Sequence, residues 1–146
     1  MKFDVIIGNP PYEKQLHMKI MLKMTELKPD IISMVVPAPW LTQQTRDTYR
    51  TSLFSFTTPK YIKILPIGTF QHFCGDSVQQ VTCVITLQKD YNGPITIVRE
   101  TNSCTLEYTN DDIKVGAPIY YYYGEYGKSI IDKMLKHCTA PRCHCC

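Results

Sequence analysis

Apolar residues cluster in short runs near the start of the chain and in alternating stretches further along. Phe3 to Ile7 is an apolar run ending at Gly8, the pattern of a parallel strand buried on both faces. Glu13 to Lys28 has a helical period, with Leu16, Ile20, Met24 and Leu27 in one stripe and Pro29 as its stop. Ile31 to Val36 is a second buried strand, closed by "PAPW". A thinner helical pattern follows from Thr42, with Leu41, Tyr49 and Leu53 at multiples of four. Strand, helix, strand, helix at these spacings predicts βαβ units and an α/β sheet. "KYIKIL", "VQQVTCVITLQK" and "GPITIVRE" then read as strands, with "PIGTFQHFCGDS" as a loop. Beyond about residue 100 the pattern weakens. "IYYYYGEYG" fits a strand or packing segment, "KSIIDKMLKH" a short helix, and "CTAPRCHCC" no readable element.

Between the first strand and the first helix lies "GNPPY", Gly8 to Tyr12. In an open α/β sheet the carboxyl ends of strands are where ligands bind, so this loop occupies a site position. Pro10 and Pro11 fix φ and remove two donors, leaving a rigid loop of acceptors beside the Asn9 amide oxygen. Tyr12 adds a flat aromatic face. Acceptors next to an aromatic plate suit a planar substrate carrying an amino group: adenine, with cytosine as the other fit. Such an amine is a poor nucleophile because its lone pair is delocalised into the ring. Acceptors on its hydrogens stabilise the charge that develops as it attacks. The base must first leave a duplex, and stacking on Tyr12 offsets part of that unstacking. The plainer alternative is a polyproline turn capping the helix at Glu13. With proline near 5% of average usage, such a string arises by chance in roughly one chain of this length in a few hundred.

"FDVIIGNPPY" closely resembles the catalytic loop of amino-group DNA methyltransferases, specifically adenine-N6 enzymes of restriction–modification type. The resemblance implies that Asn9 and the Pro10 carbonyl accept from the adenine amine and that Tyr12 stacks on the flipped base. It continues through "ISMVVPAPWL" and "IGTFQHFCGDSVQQVTCVITLQK", covering about residues 2 to 100. The second of these resembles the family's later hairpin, where Phe70, or failing that Phe73, takes the base's other face. The implied fold is a partial Rossmann-like S-adenosylmethionine-dependent methyltransferase fold, the catalytic half with a C-terminal antiparallel hairpin. In the family's sheet order the chain supplies the fourth to seventh strands.

The cofactor half is missing from this expectation. The family's glycine-rich loop has no counterpart among seven glycines spread singly along the chain. Only the edge at Gly8 and Asn9 would meet S-adenosyl-L-methionine, so the chain reads as a split, truncated or decayed catalytic half. The expected partners are DNA and a second chain carrying the cofactor-binding half. The expected organisation is 1–100 as the catalytic half, 101–137 as an extension packing on it, and 138–146 as an unstructured Cys-rich tail. The competing readings are a non-catalytic DNA-binding remnant and a methyltransferase acting on RNA or on a protein glutamine amide.

Composition narrows the picture only slightly. The 146 residues are 44% hydrophobic and 20% charged, ordinary for a globular domain. A net charge of +3 permits a nucleic-acid partner without arguing for one. No apolar stretch is long enough to span a membrane. Seven cysteines, an odd number, do not resemble a secreted disulfide framework, so a reducing, cytoplasmic setting is expected, and the resemblance implies a bacterial or phage-infected cell. His137, Cys138, Cys143, His144, Cys145 and Cys146 lack the paired knuckles of a structural zinc site, and no metal is expected. Arg46 and Arg50, one turn apart, could reach DNA phosphates, though a solvated helix face is the plainer reading. Lys60 and Lys63 flank a strand near the expected pocket, with a phosphate role in view. His17 and His72 have no readable partner and default to the surface. Cys74 and Cys83 read as hairpin lining. Tyr120 to Tyr123 read as a packed edge strand ahead of a stacking platform.

Overall fold

A computed structural model of the chain describes residues 3–43, 46–55, 59–69, 80–100 and 105–110, with the single positions 119 and 133. Its strands are β1 Val5–Gly8, β2 Ile31–Pro37, β3 Pro59–Ile64, β4 Thr82–Gln88, β5 Ile95–Glu100 and β6 Thr105–Asn110. They form one six-stranded sheet in the order β1-β2-β4-β3-β5-β6. β1 is parallel to β2, and β3 to β5, while β4 runs antiparallel to both β2 and β3. Four strands, β1, β2, β3 and β5, therefore bring their carboxyl ends to the same rim. The antiparallel β3–β4 pair is the expected hairpin.

Among the described residues, helices α1 Leu16–Glu26 and α2 Asp47–Phe54 join the sheet. Ile32, Met34 and Val36 of β2 lie beside Leu87, Ile85 and Cys83 of β4. Ile62 and Ile64 of β3 continue the same face. All are buried, in one cluster with Met18 and Met21 of α1 and Tyr49, Leu53 and Phe54 of α2. β-Branched and long apolar residues at every second strand position build this layer. On the other face, Ser33, Val35, Tyr61, Lys63, Val84 and Thr86 are only half-buried.

Several expectations change. β1 is a strand, but it is not buried on both faces: Val5 is 54% and Ile7 76% exposed. It is an edge strand whose outer side and one face have no cover among the described residues. β2 likewise buries one face, with alternate residues half-exposed. The first helix begins later than Glu13. Glu13–Gln15 is a 3-10 turn in which Lys14 (φ 47°) and Gln15 (φ 63°) are left-handed, so α1 starts at Leu16. Its end is as expected, with Lys28 left-handed (φ 50°) before Pro29. The buried face of α1 is His17, Met18 and Met21, while Leu16 and Leu27 are exposed. At about 100° per residue this face is rotated by roughly 100° from the apolar stripe. The apolar sector of α1 is broader than the face the described residues cover, so Leu16 and Leu27 stay exposed. The second helical pattern resolves into a 3-10 turn, Pro39–Leu41, followed by α2. β6 was not legible in the sequence. It extends the sheet by pairing with β5, so residues 105–110 pack edge to edge on the preceding strands.

Candidate functional site

The Asn9–Tyr12 loop leaves the carboxyl end of β1, at the rim. Pro10 is buried while Asn9 and Pro11 are exposed and Tyr12 is half-buried, so the first proline anchors the loop and presents its neighbours. Fixed φ at both prolines keeps the turn rigid. Across it, the Tyr12 hydroxyl donates to Asn9 Oδ1 at 2.8 Å. The two left-handed residues that follow cost roughly 1–2 kcal/mol each relative to ordinary helix, and they turn the chain abruptly from loop to α1. Asn9, Pro10, Pro11 and Tyr12 stand together in one rigid turn at the rim.

His17, in the first turn of α1, sits against this loop. Its ring meets Tyr12 edge to face, with centroids 6.0 Å apart and planes at 80°. It is only 6% exposed, which corrects the surface placement read from sequence. Nδ1 has no hydrogen-bond partner of good geometry among the described residues. Burial lowers its pKa below 6.5, an effect opposed by the Tyr12 backbone close by and reinforced by the charge of Arg46. Only the rotation of α1 makes this histidine a neighbour of the loop, and no periodic signal marks it.

The rim is completed by the other loops. Ala38 N–H donates to the Val81 carbonyl at 2.8 Å and Leu65 N–H to the Thr82 carbonyl at 2.9 Å, tying the exits of β2 and β3 to the entry of β4. The loop after β2 is held from beneath: Trp40 packs edge to face on Tyr49 at 5.1 Å and tilted on Phe54 at 6.2 Å. Arg50 is fully buried, and its Nη1 donates to the carbonyls of Trp40 and Gln43, each at 2.6 Å. Arg50 is therefore a clamp on this loop rather than a DNA ligand or part of a solvated face. The arginine's partners lie seven and ten residues away, beyond the reach of a helical-face argument. Arg46 is half-buried at the start of α2, where its charge reaches His17.

The lysines also move. Lys60 opens β3, so it stands at the end of the sheet opposite the loop. There it donates to Gln88 Oε1 at 2.9 Å and lies 5.7 Å from the Tyr91 ring centroid. It is not near the pocket. Lys63 lies on the half-exposed sheet face in an ion pair with Glu100 at 2.6 Å, which raises its pKa. Phe70 and Phe73 lie outside the described residues, as do His72, Cys74, the tyrosine run and the cysteine-rich tail. Cys83 is fully buried in β4, and burial pushes its thiol pKa up, as suits a core residue.

For S-adenosyl-L-methionine, the residues present offer little. A Cβ at Gly8 would meet only Met34 Sδ at 3.4 Å, ordinary contact, so no tight cradle is built there. Gly8 and Asn9 supply an open edge and no enclosing loop, so the described residues do not form a cofactor site by themselves. Among them, no group of three or more His, Cys, Asp or Glu is placed to hold a metal. None of the described helices is long and apolar enough to cross a membrane.

No protein-family model matches the chain. It is 40% identical over 53 residues to an uncharacterised adenine-specific methylase of Mycoplasma pneumoniae, a match spanning 28% of this chain and 13% of that protein. In structure it is similar to a chain of a type I restriction–modification system, with TM-score 0.55 and 16% identity over 92% of this chain and 30% of the other. It is also similar to the type I restriction–modification methyltransferase subunit of Streptococcus thermophilus, with TM-score 0.50 and 16% identity over 92% of this chain and 31% of that one. The chain thus spans less than a third of each of these relatives. Its sheet and helices are a partial methyltransferase fold, similar to part of a type I restriction–modification methyltransferase subunit, and a 53-residue stretch resembles an adenine-specific methylase in sequence.

Proposed function

We propose that this chain is the catalytic portion of a site-specific DNA adenine-N6 methyltransferase of restriction–modification or phage type, whose loop receives a flipped adenine. The observation that carries the reading is the loop itself: a buried Pro10 presents Asn9 Oδ1 and the Tyr12 ring together at the carboxyl end of β1. Asn9 Oδ1 and the Pro10 carbonyl accept from the amine as positive charge develops on it, and Tyr12 is the plate on which the base stacks. Phe70 is the proposed plate on the other side. Arg46, at the start of α2, is the cation best placed to meet a backbone phosphate. S-adenosyl-L-methionine is the methyl donor of the complete enzyme. Its enclosing residues belong to the remainder of the fold, which docks beside β1.

The test is methyl transfer. The chain is combined with a polypeptide carrying the glycine-rich half, labelled S-adenosylmethionine and duplex DNA, and the labelled nucleoside is identified. N6-methyladenine is expected. Label on cytosine, RNA or glutamine would move the reading to another amine. DNA binding with no label anywhere would make the chain a non-catalytic remnant.

A further inference from the structure

We propose that His17 is a positioning residue for the Asn9–Tyr12 loop: as a neutral buried ring against Tyr12, it sets where the Tyr12 hydroxyl stands and, through it, the Asn9 carbonyl oxygen. The inference rests on the proposed role of that loop, but its geometry does not. The edge-to-face contact holds the Tyr12 ring from one side, and the 2.8 Å bond from Tyr12 to Asn9 Oδ1 holds the asparagine from the other. An amide oxygen has two lone pairs, so the bond from Tyr12 orients Oδ1 and leaves one acceptor direction for a substrate amine. The histidine, the tyrosine and the asparagine thus form one chain of contacts running from the core to the exposed loop.

This chain of contacts depends on the charge state of His17. An imidazolium in its place is buried, lies within reach of the Arg46 charge, and finds no carboxylate among its interactions with the described residues. The Tyr12 backbone favours the charged ring, but burial outweighs it. Tyr49 of α2 is engaged with Met21 Sδ at 3.4 Å. Ile6, Gly8, Ile32 and Met34, the core-facing positions of β1 and β2 opposite one another, cannot titrate. Protonation therefore drives the ring out of its seat. Tyr12 then loses its edge contact and Asn9 its orientation.

The measurement is NMR on the chain as it is, without DNA or cofactor. In the wild type, the Tyr12 ring resonances and the Asn9 side-chain amide should shift together with the His17 ring in one transition centred below pH 6.5. In His17→Phe, which keeps an aromatic ring of similar size, the Tyr12 and Asn9 transition should vanish. Tyr12, in ring contact with His17, would shift from the new charge alone, but a residue that only filled space would leave the Asn9 side-chain amide flat as His17 titrates, and a flat Asn9 amide in the wild type overturns the proposal whether or not the variant folds. If the coupled titration is present but the complete protein transfers no methyl group to adenine, His17 positions the loop and the base reading alone fails.

Discussion

Asn9 and Tyr12 are the pair on which chemistry depends, and each is tested by a separate substitution. Asn9→Ala removes the acceptor used most strongly as charge develops. In a complete enzyme it should lower the methyl-transfer rate by about 10²–10³ while leaving the circular dichroism spectrum and melting curve nearly unchanged. Retention of most activity would remove this loop from the mechanism. Tyr12→Phe keeps the plate and removes the hydroxyl that bonds Asn9 Oδ1. A single neutral hydrogen bond contributes about 1 kcal/mol, so the rate should fall by no more than about tenfold, with base binding retained. His17 gives a stability prediction with a definite sign. Its folded pKa is lower than its unfolded value of 6.5, so the unfolded chain binds more protons at mildly acid pH. The stability associated with the neutral ring is complete above pH 6.5 and is lost as pH falls through the folded value. Chemical denaturation of the wild type against His17→Phe at a series of pH values should show this slope in the wild type and a flatter profile in the variant. Asn9 and Tyr12 were legible in the sequence because the motif is contiguous. His17 was not, because its burial depends on how α1 is rotated against the sheet.

Among the elements, α2 and the loop after β2 act as a unit. Trp40 rests on Tyr49 and Phe54, and Arg50 satisfies two backbone carbonyls from within the core. Arg50→Ala deletes charge-assisted bonds and leaves both carbonyls buried without that donor, so it should destabilise the fold by on the order of 3 kcal/mol. A shift of that size in denaturant midpoint, at constant slope, checks it. A change within about half a kcal/mol would return Arg50 to the solvated face the sequence suggested. The strands were legible where apolar residues alternate or run together. β6, "TLEYTN", was not, because four of its six positions are polar and its place depends on the free edge of β5.

The described residues form a sheet with helices seated on one face and an apolar edge strand at β1. Val5 and Ile7 of β1 are exposed, as is Phe3 just before it. An unpaired apolar edge strand associates with other chains. Light scattering should therefore show concentration-dependent association of the chain. Ile7→Lys, at the position most exposed in β1, should weaken it by about 10- to 100-fold, since burying one such side chain contributes roughly 1.5–3 kcal/mol. A monomer at all concentrations would mean that residues beyond those described cover the edge. Titration calorimetry of the same chain with S-adenosylmethionine should detect binding no tighter than about millimolar, because several enclosing hydrogen bonds are missing. Micromolar binding by the isolated chain would show that a cofactor site exists within it.

Local chemistry belongs to the sequence alone: a rigid proline turn with an acceptor and an aromatic after an apolar strand, helix stops at proline, and strands where the period is two. These follow from φ restriction and from neighbours a few residues apart, which the order of residues specifies directly. Tertiary structure decided which faces are covered. It placed β4 between β2 and β3, turned α1 so that His17 rather than Leu16 went inside, drew Arg50 under Trp40, and sent Lys60 to the far end of the sheet. Burial is a property of surfaces brought together from distant parts of the chain, and an apolar residue lacking such a surface, as at Ile7, remains in water.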